Sequence, residues 1–343
     1  MKINLSKKEI EKILLEKEMN IAAAQGLFDY CFYSRDSGKT DHRKAIVDYL
    51  ELNLNNDEDR YFYESRIAPA FIQMVDNAFV DNYYRNKIRV KPFRGSGYEL
   101  KYLSVNPYQC LPVDDIKIDK NYVELSQIGY FCKKFDYLAV LKNDVVWMST
   151  DPNEINTMAP SIKEAKGNVL AFGLGLGYFP IMAAVKPEVT SVTIIEKDQK
   201  IIDIFNKHIL PLFEYKDKIK VIHDDAFKFA EKDLSKYDYL FIDIWHSPED
   251  GLPMYLKFKR ILKNKKIKTA YWLEKSILAM YRRCLLTIIE ENQLGYTDKK
   301  YLNAKNDYDR IINDLYFKTK NVSISSNDEL NKILQDKYLL TLV

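Results

Sequence analysis

The 343-residue chain has room for two domains or one large domain with appendages, and its 47% hydrophobic content can bury a substantial core. With 52 basic and 49 acidic residues the net charge is only +3, so no global field points to nucleic acid or to a membrane surface. Cys31, Cys110, Cys132 and Cys284 lie far apart with no C-x-x-C, which argues against a disulfide framework or a metal site. The first ten residues are charged and lack the apolar run of a signal peptide, and no stretch is apolar for long enough to span a bilayer. The expectation is a cytoplasmic protein. Its 25 tyrosines are scattered without repeat spacing and read as amphipathic core and rim residues.

In chain order, Ser6-Lys7-Lys8-Glu9 forms a capping box that opens a helix through about Met19. A polar break over Ser34 to Thr40 leads to a second helix from about Asp41 to Leu52. After a further break at Asn53 to Asp59, a longer helix is predicted, with Ile67, Phe71, Met74, Val75, Ala78 and Phe79 on one face. Residues 1–90 thus read as a helical unit. Over residues 91–160 helical periodicity fades. Short β-rich runs such as Tyr122 to Leu125 and Tyr137 to Val146 replace it, with a hairpin turn within Leu141 to Val145.

Residues 161–272 alternate strand and helix. Val169 to Phe172, Ser191 to Ile195, Lys218 to Ile222 and Tyr239 to Asp243 are the strands, with a fifth at Ile267 to Tyr271. Such alternation predicts an α/β fold, a Rossmann-like doubly wound parallel sheet with right-handed crossovers. Residues 273–343 read as a mostly helical extension.

The chemistry gathers where ligands bind in such sheets, outside the carboxyl ends of the strands. The first strand runs into Gly173-Leu174-Gly175-Leu176-Gly177-Tyr178 and then a helix from Pro180 to Val185. Glycines at that junction let backbone approach a ligand at a helix N-terminus. The second strand ends in Glu196-Lys197-Asp198, roughly 20 residues on, the offset at which a carboxylate meets a ribose edge. Asp224-Asp225-Ala226 follow the third strand, where a carboxylate can accept from an exocyclic amine, and Asp225 is the favoured one. The fourth ends at Asp243, followed by Ile244-Trp245-His246.

This order of motifs resembles the class I S-adenosylmethionine-dependent methyltransferase fold, and within it the spermidine synthase-like branch. Typical methyltransferases carry an acid two residues before the first glycine; here Ala171 stands there, as an apolar residue does in the spermidine synthases. Their Val-x-x-Val-Glu-x-Asp strand is approximated by Val192 to Asp198. The resemblance spans roughly Val140 to Arg260. It implies that Gly173, Leu174, Gly175, Gly177, Tyr178, Glu196, Lys197, Asp224, Asp225, Ala226 and Asp243 hold S-adenosylmethionine or its decarboxylated form.

Two departures stand out. The family's Asp-x-x-Asp, whose second acid assists amine deprotonation, reads Asp243-Ile244-Trp245-His246 here. Its Tyr-x-Glu before the first strand reads Pro152-Asn153-Glu154. Asp243 and His246 are therefore the catalytic candidates, since imidazole can accept a proton near neutrality. Glu154 and Trp245 are the substrate-binding candidates, Trp245 through a cation–π contact with a sulfonium, with core packing the favoured reading of that tryptophan. Glu249 and Asp250 read as solvated loop acids.

Methyl transfer is the first expectation, to a small-molecule acceptor such as an amine. Aminopropyl transfer from the decarboxylated cofactor is the alternative, and a non-catalytic nucleoside-binding scaffold the third. A homo-oligomer is compatible with the sequence, and neither a membrane nor a nucleic-acid partner is expected. Ser37-Gly38-Lys39-Thr40 imitates the end of a phosphate-binding loop but lacks the first glycine and a preceding strand. Lys91 to Tyr98 mixes basic and aromatic residues and reads as a solvated loop. No metal is expected, because His42, His208 and His223 have no ligand spacing.

Overall fold

The computed structural model describes residues 1–95 and 97–343. The first helix spans Lys7–Ser37, and its capping box is complete: the Ser6 hydroxyl accepts from the Glu9 N–H while the Glu9 carboxylate accepts from the Ser6 N–H at 2.9 Å. It runs past Met19 and through Gly26 to Gly38, whose left-handed φ of 62° ends it. The Ser37-Gly38 pair is therefore a helix terminus. Asp41 caps the next helix, His42–Tyr49.

The helix expected over Ile67 to Phe79 does not form. Helical structure ends within Ala68–Ala70, where Pro69 has no N–H to donate, and Phe71–Gln73 extends to pair in parallel with Ile128–Tyr130. Val75, placed on the buried face by periodicity, is 67% exposed.

The β-rich stretch resolves into two sheets. Phe93–Gly95, Tyr98–Val105, Phe135–Lys142 and Val145–Ser149 make an antiparallel sheet. The predicted hairpin turn is its last connection, with Asn143 and Asp144 at φ of 52° and 63°, the signature of a type I′ turn. Leu111–Ile118 and Glu124–Tyr130 pair antiparallel in the other sheet, which Phe71–Gln73 completes. The stretch read as a solvated loop, Lys91 to Tyr98, contributes strands instead; its Ser96 lies outside the described residues.

The core is a parallel sheet of five strands in the spatial order Ile219–His223, Val189–Glu196, Gly167–Phe172, Tyr239–Ile242, Lys268–Tyr271. These are the five predicted strands, with ends shifted by a residue or two. Val169, Leu170, Ala171 and Phe172 are fully buried, as a central parallel strand covered on both faces requires. Chain order runs outward from the first strand to the third, then crosses to the other side for the fourth. That reversal opens a crevice at the carboxyl ends of the first and fourth strands. Helices Glu274–Gln293, Asp307–Thr319 and Asn327–Leu334 form the C-terminal part, and Lys2–Ile3 pairs with Ser323–Ile324. Among the described residues, no helix is long and apolar enough to cross a membrane.

Candidate functional site

The three glycines of the loop after the first strand do different work. A Cβ on Gly173, at φ 94°, would lie 1.8 Å from the Asp243 carbonyl oxygen, and one on Gly177, at φ 74°, would lie 2.2 Å from the Phe205 ring. Both glycines are demanded by packing. Gly175, at φ 51°, has no heavy atom within 4 Å of where its Cβ would be, so this backbone faces open space. The loop is held from behind by the N-terminal part: the Tyr84 hydroxyl donates to the Leu176 carbonyl at 2.6 Å, and Asn82 donates to the Tyr178 hydroxyl at 2.7 Å. Tyr178 is buried against Tyr84, and burial pushes its hydroxyl up to about 12. It anchors the loop on that side.

Glu196 closes the loop from the front. One carboxylate oxygen accepts the Leu174 N–H at 3.0 Å and the other the Asp198 N–H at 2.8 Å, so the acid ties the glycine loop to the end of the second strand. Ionised oxygens retain further acceptor capacity. Lys197 is exposed, and its carbonyl lies 3.0 Å from His223 Nε2. The Asp224 N–H donates to the Glu196 carbonyl at 3.1 Å, while its carboxylate pairs with Lys232 at 2.7 Å. Asp225 caps the helix Ala226–Glu231 by accepting from the Lys228 N–H at 3.0 Å, and Ala226 is buried beneath it. Local pairing thus already employs both aspartates.

The opposite bank of the crevice is acidic. Burial, and then the negative charge of Glu196, push the Asp243 carboxyl up to about 7. Glu154, in the first turn of the helix Pro152–Glu164, is raised well above the ordinary carboxyl range by burial, then by Asp243 and Asp151. Asp151 caps that helix through the N–H groups of Asn153 and Glu154. Among the described residues, no hydrogen bond and no basic side chain offsets the charge of Asp243 or of Glu154. The structure therefore brings Glu154, Glu196 and Asp243 together as a cluster of acids in which Asp243 and Glu154 hold their protons more tightly than ordinary carboxyls do.

Trp245 does not reach this site. It is 3% exposed, and its indole N–H donates to the Trp272 carbonyl at 3.2 Å. The alternation of the loop sends it into the core. His246, the next residue, is exposed, its N–H held by the Asp250 carboxylate at 3.1 Å. Asp250 also accepts from the Ser247 N–H at 2.7 Å, so it organises the loop where a solvated acid was expected. The histidine ring sits 4.6 Å from the ring of Trp147.

Trp147 and its neighbours were missed by sequence reasoning. Tyr98, Lys142 and Trp147 belong to the antiparallel sheet, which lays them across the crevice. The Tyr98 hydroxyl donates to Asp198 at 2.8 Å, and the Lys142 ammonium lies 4.4 Å from the Trp147 ring centroid and 5.6 Å from that of Tyr98. Asp198 titrates below its ordinary value: burial opposes this, but the Tyr98 hydrogen bond, two backbone N–H groups and the Lys142 charge outweigh it. The only available signal was the hairpin itself, which fixes register but not what the hairpin covers. Among the described residues, no group of three or more His, Cys, Asp or Glu is placed to hold a metal ion.

A five-stranded parallel sheet in this order, with a glycine loop after its first strand and acids at the ends of its second and fourth, is a Rossmann-like doubly wound fold. Residues 155–267 match the spermine/spermidine synthase domain, a segment that takes in the glycine loop, Glu196, Asp225 and Asp243. Three solved structures are similar to the chain. One is TrmK of M. capricolum in complex with S-adenosyl-homocysteine, at 19% identity over 33% of this chain and 48% of that one, TM-score 0.26. Another is spermidine synthase from Thermotoga maritima, at 13% identity over 44% and 58%, TM-score 0.31. A third is a spermidine synthase in complex with the transition state analogue AdoDATO, at 14% identity over 44% and 60%, TM-score 0.33. The chain spans between 48% and 60% of the length of these structures. No curated protein matches it.

Proposed function

We propose that the chain is an S-adenosylmethionine-dependent transferase that methylates an amine, bound as a cation between Glu154 and Asp243. The observation that carries this reading is the closeness of those two carboxyls, which have no basic partner among the described residues, together with the open backbone of Gly175. Crowded, half-buried acids without a basic partner are costly to ionise, and a cationic ligand lowers that cost.

The residues present fit the cofactor. Gly175 leaves the cradle that a side chain would fill, Glu196 would offer a fixed carboxylate to the ribose hydroxyls, and Asp225, past the third strand, would accept from the adenine amine with the oxygen its helix cap leaves over. When bound, S-adenosylmethionine supplies a methyl group activated by its sulfonium. The protein's part is then positioning and proton removal. Asp243 and Glu154 attract and orient the ammonium form of the acceptor. An amine attacks only after losing a proton, and Asp243, with its carboxyl near 7, is matched to accept it at neutral pH. His246, exposed at the rim, provides a route for that proton to solvent.

Aminopropyl transfer is the second reading, favoured by the same acids and by the spermine/spermidine synthase match. Replacement of the second aspartate of Asp-x-x-Asp by His246 argues for the first. Calorimetric titration of the full chain with S-adenosylmethionine and with its decarboxylated form tests the choice. Methyl transfer requires the intact cofactor to bind at least as tightly, and strong preference for the decarboxylated one would promote the second reading. Binding of neither would leave a non-catalytic scaffold.

A further inference from the structure

The antiparallel sheet reaches over the crevice at two points. Tyr98 is bonded to Asp198, just past the second strand, and Trp147 packs on His246, just past the fourth. The first strand and its glycine loop lie between those two strands. Tyr98, Lys142 and Trp147 therefore form a wall facing the loop, with Lys142 touching both aromatic rings.

The face of Trp147 already receives a cation. An ammonium 4.4 Å from an indole centroid is a cation–π contact, a modest attraction where both partners keep contact with solvent. Trp147 and Lys142 are both half-buried, so the contact can exchange. Glu154, Glu196 and Asp243, the acids of the crevice, offer an anionic group no counter-charge. A ligand that carries a carboxylate needs a counter-cation there, and Lys142 is the lysine of this wall in contact with both rings.

Resting on the cofactor reading above, we infer that Trp147 is a subsite for the positively charged sulfur of the cofactor and that Lys142, displaced from its ring, pairs with the amino-acid carboxylate. The pair would make the site selective for the intact cofactor over the decarboxylated one. Cation and carboxylate are thereby read by separate residues.

Calorimetry and tryptophan fluorescence on the full chain test this with three probes: S-adenosylmethionine, S-adenosylhomocysteine, which lacks the sulfonium charge, and decarboxylated S-adenosylmethionine, which lacks the carboxylate. Lys142→Met is expected to weaken the two carboxylate-bearing probes by on the order of tenfold and to leave the decarboxylated one little changed. Trp147→Leu should weaken the two sulfonium probes and spare S-adenosylhomocysteine. Lys142→Arg, which keeps the charge, should restore most of the affinity and exclude a folding defect. Equal loss across all three probes, or no loss, overturns the inference while leaving the cofactor reading intact. Failure of the wild type to bind any probe overturns both.

Discussion

One carboxylate oxygen of Glu196 accepts the backbone N–H of Leu174 at 3.0 Å, across the gap between two adjacent strand ends. The acid expected to hold a ribose is thus also the clasp that shapes the glycine loop. Replacing it should affect both roles. Glu196→Ala is expected to cost about 2 to 4 kcal/mol of cofactor affinity, because an ionised acceptor is lost, and to lower the melting temperature. Glu196→Gln keeps one oxygen but turns an amide donor toward one of the two N–H groups, so it should recover only part of either loss. The 2′-deoxy cofactor analogue, titrated against the wild type, separates the roles: weaker binding identifies the ribose contact, and equal binding reduces Glu196 to the clasp alone.

Gly175 gives the complementary case. A side chain at Gly175 meets open space, whereas at Gly173 or Gly177 it meets the Asp243 carbonyl or the Phe205 ring. Asparagine tolerates left-handed backbone better than other side chains. Gly175→Asn should therefore fold with a nearly unchanged melting temperature and lose cofactor binding, while Gly173→Ala should lower stability by several degrees or fail to fold. Undiminished affinity of Gly175→Asn in a titration would remove the loop from the site.

The legible parts of this chain are those set by local pattern. Val169 to Phe172 is a short apolar run that ends on glycine, and the register of Gly173 with Glu196 follows from one crossover. The segment from Ile67 to Phe79 shows what local pattern cannot settle: its apolar spacing suits a helix, yet Pro69 interrupts it and Phe71–Gln73 finds a strand partner far along the chain. The two tryptophans make the same point at the site. Trp245 adjoins Asp243 in sequence and is buried, while Trp147, distant in sequence, is carried to the crevice by a sheet whose docking no spacing encodes.

Asp243 predicts a pH dependence. Its carboxyl titrates near 7 in the folded chain against an ordinary value of 3.8, so the native state holds the proton more tightly than the unfolded one. The associated stability is complete below the ordinary value and is lost as pH rises through about 7. Asp243→Asn, permanently neutral, should melt higher than the wild type at pH 8, with the gap closing toward pH 4. In the wild type, binding of a cationic acceptor should release a proton near pH 7, seen as a calorimetric enthalpy that varies with buffer, and Asp243→Asn should abolish it. Identical melting curves for the two proteins at both pH values would contradict this assignment.

Tyr84 links the N-terminal part to the site. Its buried hydroxyl donates to the Leu176 carbonyl at 2.6 Å. Tyr84→Phe leaves that carbonyl without its partner, and about 1 to 3 kcal/mol of stability should be lost in denaturant unfolding. Because the loop is released from behind, cofactor affinity should fall as well. A loss of stability with unchanged affinity would show that the loop keeps its shape without this anchor.

The most direct test of the account is the identity of the product. The full chain, incubated with S-adenosylmethionine and a panel of diamines and longer polyamines, is followed by mass spectrometry of the amine. The expected product is an amine heavier by one methylene unit, formed together with S-adenosylhomocysteine, and Asp243→Asn should sharply reduce it. An amine that gains an aminopropyl unit, formed only from the decarboxylated cofactor, would contradict it.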